Sequence, residues 1–204
     1  MNGKVLLAGL LGGIVLYVWG GLVWTVLPAV GLDLHPVTPL AGPEEAVTAL
    51  DQLKVDEGVY YGAFIKPGSP EGEEMDMAHI DETKPAIAFM VWRPQGINPA
   101  AMTPMFIGGF LLAFLQALLA AFLLNIAAPV IRNGYGGRVL FVVWLGIFAS
   151  LVVHAMYANW MMFPMGYTLG MIADTVISWL LVGLLLATLI RPATSQTPGA
   201  ATAL

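Results

Sequence analysis

The chain contains no cysteine, which excludes disulfides, zinc–thiolate sites, thiol nucleophiles and cysteine-ligated iron–sulfur clusters. Charge is also scarce. Charged residues make up 10 % of the 204 residues, against about 25 % in a typical soluble domain, while hydrophobic residues make up 58 %. So few charges cannot cover the surface of a water-soluble protein of this length. We therefore expect a lipid bilayer to surround much of the chain.

Basic runs and catalytic motifs are missing too. Eight basic residues stand against thirteen acidic ones, and no basic cluster occurs, which disfavours binding to nucleic acid. The chain has no G-x-S-x-G, H-E-x-x-H, P-loop or dinucleotide-binding motif. The sequence therefore predicts a non-catalytic protein without a resident cofactor.

Four long apolar runs are present, and each exceeds the roughly 20 residues that a helix needs to cross the hydrocarbon core. They are Val5–Val30, Met105–Ala128, Arg138–Ala158 and Gly166–Ile190. These runs predict an all-α membrane protein, a bundle of four transmembrane helices. The first run could also be a secretory signal peptide, but its length and the absence of an A-x-A cleavage site favour a retained anchor.

The charges outside these runs predict the topology. Lys4, Arg132, Arg138 and Arg191 all fall at one side of a four-span arrangement, whereas residues 31–104 carry twelve acidic and four basic residues. Because positive charge accumulates on the cytoplasmic side, we expect both termini in the cytoplasm and residues 31–104 outside it. The predicted segments are 1–30 (N-terminus and first helix), 31–104 (acidic extracytoplasmic domain), 105–190 (three further helices) and 191–204 (disordered tail).

The sequence of the acidic segment predicts a small α+β domain. Pro43 followed by two glutamates predicts a helix start, since proline suits the first turn and carboxylates suit the positive end of the helix dipole. Val59–Ile65 and Ala86–Arg93 are rich in β-branched and aromatic residues and predict two strands. One helix and two strands make a marginally stable fold, so we expect the domain to be stabilised by packing against the transmembrane helices or against a partner.

Ionisable and polar residues within apolar spans are candidate functional groups, because they are costly there. Asp174 and His154 fall at similar depth on neighbouring spans, so a contact between them is geometrically possible. Such a cluster has two interpretations: a proton relay or polar pocket, or a hydrogen-bonded clasp that fixes helix packing. The proposed intramembrane polar cluster is Asp174, His154, Tyr157, Tyr167, Ser178 and Gln116.

Methionines concentrate at the predicted outer side, where thioethers could bind copper(I). Methionine also fills irregular interfaces, which is the competing interpretation. The weak metal-ligand candidates are Met75, Met77, His79, Met161, Met162 and Met165.

Small residues in the first span permit close helix approach, either within the bundle or against a partner. The candidate helix-packing residues are Gly9, Gly12, Gly13, Gly20 and Gly21.

Four stretches carry a resemblance to a known group of proteins. They read AGLLGGIVLYVWGGLVWTVLP (8–28), GVYYGAFIKPG (58–68), FMVWRPQG (89–96) and GYTLGMIADTVISWLLVGLL (166–185). In these stretches the chain resembles an uncharacterised family of small bacterial four-span inner-membrane proteins. The resemblance implies a bacterial inner membrane and no particular activity.

Two functions lead the interpretation of this sequence, and a membrane enzyme is a third alternative. The first is a structural or accessory subunit of a larger membrane complex, for example an energy-converting one, whose partners are the bilayer and other membrane subunits. The second is a small transporter, or an ion-, proton- or copper-handling protein, that uses Asp174 and His154.

Overall fold

The computed structural model describes residues 3–37, 40, 42–64, 66, 79–96, 98, 100 and 102–192. Within them, four helices are long and apolar enough to cross a membrane, as the sequence predicts. They are α1 (Gly3–Ala29), α3 (Met102–Ala127), α4 (Gly134–Trp160) and α5 (Met165–Leu189). A short helix, α2 (Pro43–Gln52), and two strands, β1 (Gly58–Gly62) and β2 (Ile87–Trp92), lie between α1 and α3.

The long helices run antiparallel to their neighbours, and α1 and α5 hold the centre of the arrangement. Helix α1 packs against both α3 and α5, and α5 also packs against α4, whereas α3 and α4 contact each other much less. Fully buried Leu124, Val142, Val182 and Leu186 belong to the shared core. We call the end where α1 ends and α5 begins the sheet end, because the β1–β2 sheet follows there.

Glycines bring α1 and α3 into close contact. A Cβ added at Gly13 would lie 2.6 Å from Phe114 Cα, and one at Gly9 would lie 2.7 Å from Leu118 Cα. At Gly12 the added atom would meet the Cβ of Ala117 at 2.9 Å. These three glycines face a neighbouring helix of the same chain and are therefore not free for a partner helix. Gly20 and Gly21 differ, because an added Cβ meets no atom within 4 Å at either position.

The pairing of α4 with α5 uses one glycine and one buried cation. Gly146 faces the Trp179 side chain closely. At the other end of the bundle, buried Arg138 donates from Nε and Nη2 to the Ala187 carbonyl oxygen, at 3.3 and 3.1 Å. A cation suits this place, because the last carbonyls of a helix carry partial negative charge. Arg138 thus links α4 to α5 by hydrogen bonds, in addition to being one of the basic residues used to predict the topology.

Two helices widen into π-helical turns near the sheet end, at Leu22–Val26 and Leu151–Ala155. Pro28 accounts for the first, because proline lacks an N–H and clashes with the carbonyl four residues before it. Before the second, Ser150 Oγ donates to the Ile147 carbonyl oxygen at 2.8 Å, which competes with the regular helix ladder. Turns of this kind occur frequently at functional sites.

The segment between α1 and α3 contains the predicted helix and both predicted strands. Helix α2 begins at Pro43 with Glu44 and Glu45 in its first turn. The strands pair antiparallel, with Val59 opposite Val91, and both are shorter than the sequence predicts. Beyond β1, two backbone hydrogen bonds join residues 64 and 66 to residues 81 and 79. The Asp81 N–H donates to the Phe64 oxygen at 2.7 Å, and the Lys66 N–H donates to the His79 oxygen at 2.8 Å.

Two side-chain contacts tie this segment together. Buried Trp92 donates its indole N–H to the Val55 carbonyl oxygen at 3.1 Å, which fixes the sheet against the end of α2. In the turn before β2, the Thr83 hydroxyl and N–H donate to the Asp81 carboxylate at 2.6 and 3.1 Å. These bonds favour the ionised form and lower the pKa of Asp81 below its ordinary value. The predicted ligands Met75 and Met77 and the predicted tail beyond residue 192 lie outside the described residues.

Candidate functional site

Asp174 lies on α5 near the sheet end, and its carboxylate has partners from outside that helix. The indole Nε1–H of Trp19, on α1, donates to Oδ1 at 2.6 Å. His35 Nε2 lies 3.2 Å from Oδ2. The Asp174 side chain keeps 16 % of its exposure, while that of His35 keeps only 1 %. We call Trp19, His35 and Asp174 the clasp.

His35 reaches the clasp because the chain folds back after α1. The backbone oxygen of Leu34 occupies the space beside Gly170, where a Cβ would overlap it, so this position on α5 must be glycine. The Asp33 carboxylate accepts the His35 backbone N–H at 2.8 Å, which sets the local turn. The imidazole then stacks on Trp24, with ring centroids 4.1 Å apart. Trp24 belongs to the first π-helical turn, so this turn supplies one wall of the clasp.

The contact between His35 and Asp174 is electrostatic rather than a well-aligned hydrogen bond. Nε2 is within ion-pair distance of Oδ2, yet neither ring nitrogen has a hydrogen bond of normal geometry to the described residues. At 3.2 Å the polar imidazole and the carboxylate still interact electrostatically, and such an attraction depends less on alignment than a hydrogen bond does. The hydrogen bond from Trp19 therefore fixes the orientation of the carboxylate, while His35 places a second polar group beside it.

Among the described residues, the hydrogen-bond partner of His154 is not Asp174, whose contact with it the sequence made geometrically possible. His154 Nε2 instead lies 3.0 Å from Thr175 Oγ1. Successive residues on a helix point about 100° apart. The face of α5 that meets α4 carries Thr175, while Asp174 points towards α1. The hydrogen bond of His154 therefore goes to the neighbouring position on α5.

A cavity of about 230 Å³ lies beside His154 at the sheet end. Its walls include Val153, His154, Tyr157, Phe163, Tyr167 and Met171. Phe163 stands between the two tyrosines, with centroid separations of 5.8 Å to Tyr157 and 5.6 Å to Tyr167. It also approaches Phe89 of the sheet at 5.7 Å. We call this space the aromatic cavity, and it brings together three of the residues that the sequence singled out.

The remaining candidates lie apart from one another. Ser178 Oγ donates to the Thr175 backbone oxygen of its own helix at 2.8 Å. Gln116 is exposed on α3 and does not complete a buried polar group, since α3 turns its alanine face inward. Met161, Met162 and Met165 are exposed at the loop between α4 and α5. Among the described residues, no three His, Cys, Asp or Glu side chains are placed to hold a metal ion. Copper binding through methionine stays a prediction.

His35 and Trp19 are the members of the site that sequence reasoning missed. Two signals pointed to His35, and none pointed to Trp19. Gly170 precedes Asp174 by four residues and so lies on the same helix face, and Asp33-Leu34-His35-Pro36 is a turn sequence directly after a span. No family model, curated protein or solved structure matches this chain. The resemblance to bacterial four-span proteins is thus still a prediction, and the site is interpreted from its geometry.

Proposed function

We propose that this chain is a non-catalytic integral membrane protein that serves as an accessory subunit and binds another membrane subunit through its β1–β2 sheet. The observation that carries this proposal is an exposed apolar sheet face. Val59, Tyr61 and Val91 keep 64, 57 and 60 % of their exposure, although β-branched and aromatic side chains lose solvent contact favourably. We call these three residues the sheet face.

Pairing and burial support a single surface. Val59 and Val91 are directly paired. Burial alternates along β1 and leaves Val59 and Tyr61 exposed together, so they project to the same side of the sheet although the register shifts next to Tyr61. Within the described residues each strand pairs mainly with the other, so each also presents a backbone edge. A two-stranded sheet is marginal alone, and a partner strand or surface would stabilise it.

Charge favours a particular chemistry for the partner. Residues 31–104 hold twelve acidic and four basic residues, so the segment that carries the sheet face is acidic in composition. A matching surface would be apolar at its centre and basic at its rim, because complementary potentials speed association and exclude wrong partners. We therefore commit to an extramembrane segment of a second membrane protein with these properties.

The helices support a static role better than transport. Val142, Val182 and Leu186 are fully buried and lie between the clasp and Arg138 at the opposite end. These side chains have no polar atom, so they place an apolar layer where a proton or ion path would need hydrogen-bonding groups. The clasp then acts as a fastening between α1, the returning chain and α5.

Adding charge to the sheet face tests the docking proposal. Val59→Lys combined with Val91→Lys should reduce the partner recovered after mild detergent extraction by about tenfold, the effect of about 1.4 kcal/mol of lost binding free energy. The measurement is the stoichiometry of the co-purified membrane protein. Gln95→Lys is the control for added positive charge, because it places one lysine at an exposed position beyond β2 and should retain the partner.

One result would contradict the proposal directly. If the wild-type chain migrates in gentle detergent as a lone 21.7 kDa monomer with its detergent belt, it is not an accessory subunit.

The same proposal includes an orientation: a bacterial inner membrane, both termini in the cytoplasm and the sheet outside. The natural absence of cysteine makes single-cysteine labelling straightforward. Gln95→Cys should react with a membrane-impermeant thiol reagent in intact cells, and Asn133→Cys should react only after the membrane is opened. Reaction of Asn133→Cys alone in intact cells would reverse the orientation.

A further inference from the structure

We propose that the aromatic cavity binds an uncharged aromatic ring that carries a hydroxyl group, the chemistry shared by phenols and quinols. Its size suits a single substituted ring. An apolar protein cavity of about 150 Å³ accepts benzene, and this one measures about 230 Å³.

The walls define an apolar, flat ligand. Tyr157, Phe163 and Tyr167 offer ring faces, while Val153 and Met171 add aliphatic and thioether surface. Adjacent rings are tilted by only 20° and 30°, so they form a row rather than an enclosing cage. A row of nearly parallel rings favours stacking with another flat ring, whereas a quaternary ammonium group needs walls on several sides.

The hydrogen-bond chain at His154 defines where a hydroxyl would bind. The Thr175 hydroxyl donates its single hydrogen to the Met171 carbonyl oxygen at 2.9 Å. Its oxygen can then only accept from His154, so Nε2 carries the imidazole proton. In the neutral ring Nδ1 is left as an acceptor, and a ligand O–H can donate to it. Thr175 is in this sense a positioning residue, because it acts on the ligand through the tautomer of His154.

The tyrosine hydroxyls provide the complementary donors. No described residue pairs with the hydroxyl of Tyr157 or Tyr167, and both rings line the cavity. One of them can donate to a second ligand oxygen, which a quinol has and a simple phenol lacks. Tyr157 keeps 48 % of its exposure, so the cavity is accessible from the side of the bundle. The ring could come from a tailed quinol dissolved in the bilayer or from a small phenol in water.

A matched pair of probes tests the site without knowledge of the natural ligand. The probes are p-cresol and 4-methylanisole, which differ in the ability to donate a hydrogen bond. Equilibrium dialysis at about pH 8, where an ordinary imidazole is neutral, measures uptake by detergent-solubilised full-length protein above uptake by empty micelles. We expect p-cresol to bind about fivefold more tightly than 4-methylanisole, the effect of one neutral hydrogen bond.

Variants assign that preference to the proposed groups. Thr175→Val and His154→Phe should each bring the cresol-to-anisole ratio close to one. Ser178→Ala should leave it unchanged, because the Ser178 hydroxyl is bonded to its own helix. Thermal unfolding of each variant separates a lost site from a lost fold, and the ratio compares two ligands on the same folded sample.

A tailed probe distinguishes the two sources. If 4-decylphenol binds more tightly than its partition into micelles accounts for, the natural ligand is a membrane-borne quinol; if it gains nothing, the ligand is a small phenol. The proposal would be overturned if wild type bound p-cresol and 4-methylanisole equally well, as Thr175→Val is expected to do. It would also be overturned if neither probe were taken up beyond the uptake of empty micelles. The test is independent of the sheet face, so it can fail while the accessory role stands.

Discussion

Asp174→Leu should lower the free energy of unfolding by about 1–3 kcal/mol, the usual cost of leaving a buried hydrogen-bonding group without its partner. The Asp174 side chain is mostly buried, with 16 % exposure, so water replaces the lost partner poorly. Leucine leaves the Trp19 indole N–H without its acceptor and removes the carboxylate beside the His35 ring. Asp174→Asn should cost only about 1 kcal/mol, since the amide oxygen can still accept from Trp19. Unfolding in mixed micelles, followed by tryptophan fluorescence, measures both losses.

His35→Phe provides the control for this prediction. Phenylalanine keeps a flat ring against Trp24 but offers no polar group to the carboxylate. A double-mutant cycle with Asp174→Leu should give a coupling free energy of about 1–2 kcal/mol if the two side chains act together. Additive losses would mean that the 3.2 Å contact contributes nothing beyond the Trp19 bond.

The same variants separate the clasp from a proton relay. A fastening predicts that stability falls in Asp174→Leu and that vesicles containing wild type hold an imposed pH gradient. A relay predicts the opposite: wild-type vesicles lose the gradient, Asp174→Asn vesicles keep it, and both variants unfold like wild type. The second pattern would replace the accessory role with proton handling.

Gly13→Ala should destabilise the protein by about 1–3 kcal/mol, the usual cost of overpacking. The added methyl would lie 2.6 Å from Phe114 Cα, a backbone atom that cannot rotate away. The α1–α3 pair must therefore separate. Gly20→Ala is the matched control on the same helix, where the methyl meets no atom within 4 Å. We expect it to change stability by less than about 0.5 kcal/mol. Equal effects at both positions would contradict the close packing assigned to Gly13, because helix propensity alone favours alanine over glycine at each of them.

The sequence predicts the helices well because their signal is local. Four uninterrupted apolar runs identify α1, α3, α4 and α5 without knowledge of their neighbours. The Pro43 helix start and the two strands are local signals too, although the strand ends are not. The strands are shorter than predicted, because regular pairing ends at Gly62 and Ile87, directly after a register shift between Tyr60 and Gly62.

The site is less predictable because it depends on which helix faces meet. Each span is apolar around its whole circumference, so periodicity does not identify the face of α5 that meets α1. The pairing of Asp174 with Trp19 rather than with His154 follows from that undetermined rotation. His35 lies outside every apolar run, and only the close approach of Leu34 to Gly170 brings it back to α5.

The clasp also has a consequence for biogenesis, because its members emerge from the ribosome at very different times. Trp19 and Asp174 are separated by 155 residues, and α5 is the final span of the four. During synthesis α1 can pair early with α3 through Gly9 and Gly13, but its other face waits for α5. For that interval the Trp19 indole N–H lacks its acceptor, and His35 lacks the carboxylate beside it. A nascent chain that stops before Met165 therefore presents polar groups at and just after its first helix without their partner, a feature by which membrane quality control can tell unfinished chains from completed ones.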